Sequence, residues 1–239
     1  MAVEFDHTGT KYIKWTAPAG AIGLSLFTVD VMYYRTGAAA NYFWIIYDGV
    51  GTDTDQAISF SELGGADAGK LGMQAHWSTL DGTWKTTSAV LTSSAFNRVS
   101  FTYDASSTSN NPVFYINGVS TAVTTVNAPT GTYRNGTGVN LFLGIDGASL
   151  SMNGIYNSCN QYNRIASASE ILDWHNSKLA IPDKRGLVFA AQLQGCAGGV
   201  AEGGTMAAGN TVADAVSGAL GVPAGSPLFK GDTVLTFGG

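Results

Sequence analysis

The sequence predicts an all-β antiparallel sandwich with one short helix and a glycine-rich C-terminal extension. Three observations carry that expectation. Apolar and polar residues alternate with period two over many short runs, as half-buried strands require. Between the runs stand Asp48-Gly49, Asp81-Gly82, Asn117-Gly118, Asn135-Gly136, Asp146-Gly147 and Asn153-Gly154, dipeptides that accept the positive φ of tight hairpin turns. A length of 239 residues is ordinary for one large β-sandwich and ample for a sizeable core.

The alternation places strands at 3–5, 11–15, 27–33, 42–47, 57–60, 71–77, 85–91, 99–103, 113–116, 119–124, 141–145, 155–162 and 187–193. In 27–33 the odd positions form one apolar face and the even positions are mixed. The run 42–47 (YFWIIY) is apolar on both faces and reads as a central strand covered on both sides.

One helix is expected. Ser167-Ala168-Ser169-Glu170 is a capping box, in which the Ser167 hydroxyl accepts from the Glu170 backbone and the Glu170 carboxylate reaches back. Ile171, Leu172, Trp174, His175 and Leu179 follow as a partly helical apolar stripe, and Pro182 stops it. The helix is expected to pack across one end of the sandwich.

Composition shifts after Leu193. Residues 194–239 are rich in Gly, Ala, Ser and Thr, with too few large apolar residues for a core of their own. They read as an extension of a sandwich over 1–193. A short amphipathic stretch at 211–220 suggests a helical turn or two, and 233–237 has strand character. A lone strand needs an edge to pair with, either on its own sandwich or on a neighbouring subunit.

Only 12% of the residues are charged against 45% apolar, so Ser, Thr, Asn and Gly must cover the surface. The net charge is −5 with no Lys/Arg cluster, which excludes a nucleic-acid partner. No apolar run is long enough to cross a membrane as a helix. The first residues show no basic region followed by an apolar one, so synthesis in the cytosol without a secretory signal is expected. Cys159 and Cys196 are too few for a disulfide scaffold or a structural zinc site. They read as inert thiols, with a single bridge the other arrangement open to them.

The strand order then resembles a known family. Phe96-Asn97-Arg98-Val99-Ser100-Phe101-Thr102-Tyr103-Asp104 looks like a "W-x-x-V-x-x-x-Y-D" strand, with Phe96 in place of Trp. Val113-Phe114-Tyr115-Ile116-Asn117-Gly118 matches an "x-x-Y-x-N-G" hairpin. Met152-Asn153-Gly154-Ile155 through Tyr162-Asn163-Arg164, then Ala168-Ser169-Glu170-Ile171, looks like the tail that follows it. Together these stretches, over about 96–179, resemble the laminin-G-like or concanavalin-like jelly roll, which implies that architecture here. Val3-Glu4-Phe5-Asp6 through Tyr12-Ile13 resembles the family's early stretch. The strand that usually precedes it resembles Gly186-Leu187-Val188-Phe189-Ala190-Ala191, here at the other end of the chain, as in a rearranged terminus. Asn157 and Ser158 stand near where the family often has an acidic residue, which weakens a metal role for that strand.

Such folds include glycosidases, which need two carboxylates flanking the scissile bond. The four glutamates are Glu4, Glu62, Glu170 and Glu202, and only Glu4-Phe5-Asp6 begins the "E-x-D-x-x-E" pattern of the resembling enzymes, with Gly9 at its third position. No catalytic residue is assigned. His7, His76 and His175 are isolated and read as structural, without a Gly-x-Ser-x-Gly elbow. The loop 48–55 gathers Asp48, Asp53 and Asp55, weak candidates for calcium at a sandwich rim. A solvated turn is the stronger reading, so no metal or cofactor is expected. Trp77 and Trp84 flank a polar turn and, if exposed, would stack on sugar rings.

The expected function is therefore non-enzymatic. The leading expectation is a structural protein of a tailed-bacteriophage virion, a head decoration or tail-associated subunit. Its partners would be capsid or tail subunits, and it would be a homo-oligomer within an assembly. The alternative is a carbohydrate-binding or adhesion module with a surface glycan as partner.

Overall fold

The structure is a computed structural model that describes residues 2–6, 12–16, 20–36, 41–47, 58–134, 140–144, 153–192, 212–213, 220–224 and 228–230. Its elements run β1 (Ala2–Asp6), β2 (Tyr12–Trp15), β3 (Leu26–Arg35), β4 (Asn41–Tyr47), β5 (Ile58–Glu62), β6 (Leu71–Ala75), β7 (Gly82–Thr86), β8 (Phe96–Asp104) and β9 (Val113–Ile116). There follow β10 (Val119–Thr121), β11 (Val123–Asn127), β12 (Asn140–Gly144), β13 (Asn153–Tyr162), α1 (Ala168–Ser177), β14 (Leu187–Gln192), β15 (Val212–Ala213), β16 (Leu220–Ala224) and β17 (Leu228–Lys230). Among the described residues these strands form two antiparallel sheets. One has the order β10-β9-β8-β3-β13-β1-β17, with β14 also on β13, and the other the order β11-β7-β6-β5-β4-β12-β2-β16-β15.

Alternation decides what each strand buries. Phe27, Val29, Val31 and Tyr33 of β3 join Val99, Phe101 and Tyr103 of β8 on the inner face of the first sheet. Ile13, Trp15, Phe60, Leu141 and Leu143 meet them from the second. Rings mesh edge-to-face and tilted across the gap, with Phe60 and Phe101 centred 4.6 Å apart and Tyr33 and Phe43 5.1 Å apart. A bulge in β4 between Tyr42 and Trp44 breaks the alternation, so consecutive Phe43 and Trp44 both join the core. Ile45 then turns outward to a second apolar cluster with Phe142 and Tyr12, so β4 is covered on both faces. Cys159 is a free thiol in the core, its pKa pushed up by burial, while Cys196 lies outside the described residues.

A buried ion pair ties the sheets at one end. Arg35 Nε donates to Glu62 Oε1 at 2.8 Å and Arg35 Nη2 lies 2.6 Å from the same oxygen. Glu62 is 0% exposed.

The helix lies on the outer face of the first sheet rather than across an end. Its Trp174 stacks on Tyr162 of β13 at 4.7 Å and shares a cluster with Tyr115 of β9. The reason is a polar anchor: Arg98 forms a two-point pair with Asp30 at 2.7 and 2.8 Å and donates to the carbonyls of Trp174 and Leu179. The Trp174 carbonyl, which also accepts from Ser177 Oγ at 2.9 Å, is one of the four at the helix end without an intrahelical N–H partner. The capping box on Ser167 and Glu170 is present, and α1 ends on Lys178 at φ 55°.

Three local expectations change. The strand expected at 85–91 is Gly82–Thr86, because past Thr86 the chain leaves the ladder and Val90 N and Leu91 N donate instead to Gly69 O at 2.8 and 3.2 Å. The run 119–124 divides at Ala122, with β10 edging the first sheet and β11 the second. Of the stretch 211–220, expected as a helical turn or two, the described residues Val212, Ala213 and Leu220 are strand, with Val212 and Ala213 pairing with Gly221 and Leu220. The extension adds strands to both sheets, β16 on β2 and β17 on β1. The strand expected at 233–237 lies outside the described residues.

Two outcomes follow. Arg35→Ala strands a buried carboxylate and should cost about 3–5 kcal/mol in urea unfolding. A midpoint unchanged from wild type would refute the bridge. Truncation after Gln192 removes the strands that cover β1 and β2, and the thermal midpoint should fall. An unchanged midpoint would show that these strands contribute nothing to the sandwich.

Candidate functional site

The outer face of the second sheet carries a polar groove. Because side chains alternate, the partners of the core residues Phe60, Met73 and Trp84 point the other way. Two cross-strand rows result. One is Ser59, Gln74, Thr83 and Asn127; the other is Ser61, Gly72, Lys85 and Thr124. A cleft of about 270 Å³ lies over Ser59, Ser61, Gln74, Thr83 and Lys85, edged by Leu63, Asp67 and Val126. A second cleft of about 350 Å³ continues from Gln74 and Thr83 to Asn127, Leu80, Asp81 and Arg134. The two share Gln74 and Thr83 and so form one continuous groove. Val126 and Leu80 are 50% and 49% exposed and supply apolar contact at its edges.

The far rim is cross-braced by hydrogen bonds. Ser78 N donates to Thr132 O and Thr132 N to Ser78 Oγ, both at 2.9 Å. Thr130 N donates to Leu80 O at 2.9 Å, and Arg134 N to His76 O at 2.8 Å. Gly131 (φ 95°) lies so close to Ser78 that a Cβ there would sit 2.4 Å from its hydroxyl oxygen. Asp81 closes the loop from inside, accepting from Trp77 N at 2.9 Å and lying 3.1 Å from His76 Nδ1. His76 is buried.

At the near end, the 3-10 turn Gly65–Asp67 sets Asp67 against two ammonium groups. Lys70 Nζ and Lys85 Nζ each lie 2.7 Å from it. Hydrogen bonds from Lys70 and then Lys85 hold the Asp67 carboxyl below the usual carboxylate range.

The tryptophans are not exposed platforms. Trp84 is 0% exposed, packs on Tyr103 at 5.3 Å and donates from Nε1 to Asn111 Oδ1 at 2.7 Å. Trp77 is 5% exposed and packs on Tyr133 at 5.7 Å. Trp84 sits in an inward register position, and the 130–134 segment covers Trp77, so neither offers a free ring face for stacking on sugar. Asp48, Asp53 and Asp55 lie outside the described residues. No group of three metal-ligating side chains occurs among the described residues. The groove residues escaped the sequence reading because Ser, Thr and Gln look like solvated filler. Their signal was the polar half of the alternation in Ile58-Ser59-Phe60-Ser61 and Gly82-Thr83-Trp84-Lys85.

Neither a family model nor a curated protein sequence matches the chain. Solved structures do match its fold. A candidate carbohydrate binding protein from Bacteroides ovatus superposes with a TM-score of 0.63 at 16% identity over 97% of this chain. This chain spans 60% of that protein's length. A heptameric SAP-like pentraxin from Limulus polyphemus gives 0.63 at 11% identity, covering 99% of this chain and 97% of the pentraxin. The CBM40 of the Ruminococcus gnavus IT-sialidase, bound to α2,3-sialyllactose, gives 0.52 at 17% identity over 72% of this chain and 96% of the module. The fold is thus the lectin-type jelly-roll sandwich.

Trp84→Ala should destabilise the protein by about 3–5 kcal/mol, as large core truncations do, while Thr83→Ala in the groove should stay within about 0.5 kcal/mol. Chemical denaturation of the two variants checks this. A Trp84→Ala protein as stable as wild type would contradict its place in the core.

Proposed function

We propose that the chain is a carbohydrate-binding or adhesion module whose glycan lies along the groove of the second sheet. The observation that carries this is the pair of cross-strand rows, polar but for Gly72, between two apolar contacts, Leu80 and Val126. A sugar presents hydroxyls around its rim and C–H groups on its faces, and needs both kinds of partner. Ser59, Ser61, Gln74, Thr83 and Asn127 offer donors and acceptors for the first. The groove is open and polar, unlike the enclosed apolar pockets that take drug-like ligands. The lectin-type fold, shared with a candidate carbohydrate binding protein and a sialidase CBM40, supports the same reading.

Binding without cleavage is part of the proposal. Glu62 is locked by Arg35 and Glu170 serves the helix cap. Asp67 and Asp81 both line the groove, but they flank opposite ends of β6, whose five residues span about 16 Å. Hydrolysis uses carboxylates roughly 5–9.5 Å apart. The virion role expected from the sequence gains no support from the fold or the comparisons, and the glycan reading, its alternative, takes its place.

The test is a glycan array followed by calorimetry on the glycans retained. Gln74→Ala and Asn127→Ala should each weaken binding about tenfold, the loss of one hydrogen bond to a ligand. Val119→Ser, on the edge of the other sheet, should bind as wild type. No reducing sugar should be released from the bound glycan. An array with no glycan retained, or groove variants that bind unchanged, would overturn the reading.

A further inference from the structure

One end of the groove carries a charge that the other end does not balance. Lys70 Nζ lies 2.7 Å from Asp67 Oδ1, and Lys85 Nζ lies 2.7 Å from Asp67 Oδ2. Each carboxylate oxygen takes one ammonium, so two positive charges meet one negative and a single positive charge remains. The three side chains come from separate elements: the turn Gly65–Asp67, the residue before β6, and the penultimate residue of β7. They are 22%, 32% and 31% exposed for Lys70, Lys85 and Asp67, which restrains ammonium groups that would otherwise sweep through solvent. An ammonium carries three donors. Asp67 is the sole acceptor of either one among the described residues, so each keeps donors for a ligand.

Lys85 faces the cleft beside the Ser59 and Ser61 hydroxyls, and Lys70 backs it through Asp67. Asp81, the groove's other carboxylate, sits beyond the opposite end of β6. Its carboxylate lies 3.1 Å from His76 Nδ1, and four residues of extended chain, about 13 Å, separate it from Lys85, more than the Debye length of about 8 Å at physiological salt. The chain's net charge is −5, which disfavours general adsorption of polyanions. Any preference for an anion must therefore be local.

We infer that the Lys70–Asp67–Lys85 cluster selects glycans bearing a negative charge, a carboxylate or a sulfate ester that accepts from Lys85 with Lys70 adding to the field. This rests on the glycan-binding reading of the same groove. Asp67 holds both ammonium groups in place and keeps the site's charge at one, which favours a single acidic substituent over a dense polyanion.

The experiment compares wild type, Lys85→Gln and Lys70→Gln on an array of sialylated, uronate-containing, sulfated and neutral glycans, at 50 and 300 mM salt. Glutamine keeps a donor for Asp67 while removing the charge, and Lys70 lies outside the strands, so its variant reports the charge without touching β7. The retained glycans should be acidic. Lys85→Gln should bind them about tenfold more weakly, the loss of one charge-assisted contact. Wild-type binding should weaken at the higher salt. Retention confined to sialylated and uronate glycans identifies a carboxylate ligand, and retention confined to sulfated ones a sulfate ester. Neutral glycans held as tightly as their acidic counterparts would overturn the inference and leave glycan binding standing. So would acidic binding that both variants retain in full. An array that stays silent overturns the glycan reading and this inference with it.

Discussion

The ion pair between Arg35 and Glu62 is the contact on which the geometry of the groove depends. It joins β3 of one sheet to β5 of the other, and both side chains are nearly or fully buried. Burying two charges is costly unless their hydrogen bonds are well satisfied. Here Arg35 also donates to Ser93 Oγ, and the Tyr33 hydroxyl lies 3.4 Å from Glu62 Oε2. Glu62 is the last residue of β5, and the next residue, Leu63, donates to Lys70 O at 2.9 Å. The turn that carries Asp67 is thus hung from the same point. The Arg35 backbone also pairs with Ser94 and Ala95, which fixes the approach to β8.

The two outer faces of the sandwich have different fates for one chemical reason. On the first sheet, Asp30, Arg98, Ser100 and Asn160 form a buried polar layer that α1 and the segment after it complete. Arg98 satisfies carbonyls at the helix end, and Asn160 donates to Ala180 O at 2.6 Å. That face is closed. On the second sheet the corresponding polar residues of β5, β6 and β7 line clefts instead.

Much of this was legible in the sequence. The strands stood out because their core positions are large and alternate, and Asn117-Gly118 turns as expected, with φ of 51° and 84°. The helix start was readable because a capping box is local chemistry. Where the helix lands was not, since that depends on Arg98 finding Asp30, 68 residues away in the chain. Trp77 and Trp84 misled because an indole beside a polar turn looks the same in sequence whether its ring points in or out. The register that sends Trp84 inward also sends Thr83 and Lys85 into the groove. The groove was therefore written in the same residues and was read with the wrong side outward.

The edge of β13 has a consequence for how the chain folds. β14 pairs with residues 158–162 and β1 with residues 153–156, both antiparallel to it, so they lie in line as two halves of one strand position. Those halves come from opposite ends of the sequence. Closing so long a loop is entropically late, while contacts between neighbours in sequence form early. β4, β5, β6 and β7 pair in sequence order as a meander. This order of contact favours a route in which the groove's floor takes shape first and the split strand seals the sandwich afterwards.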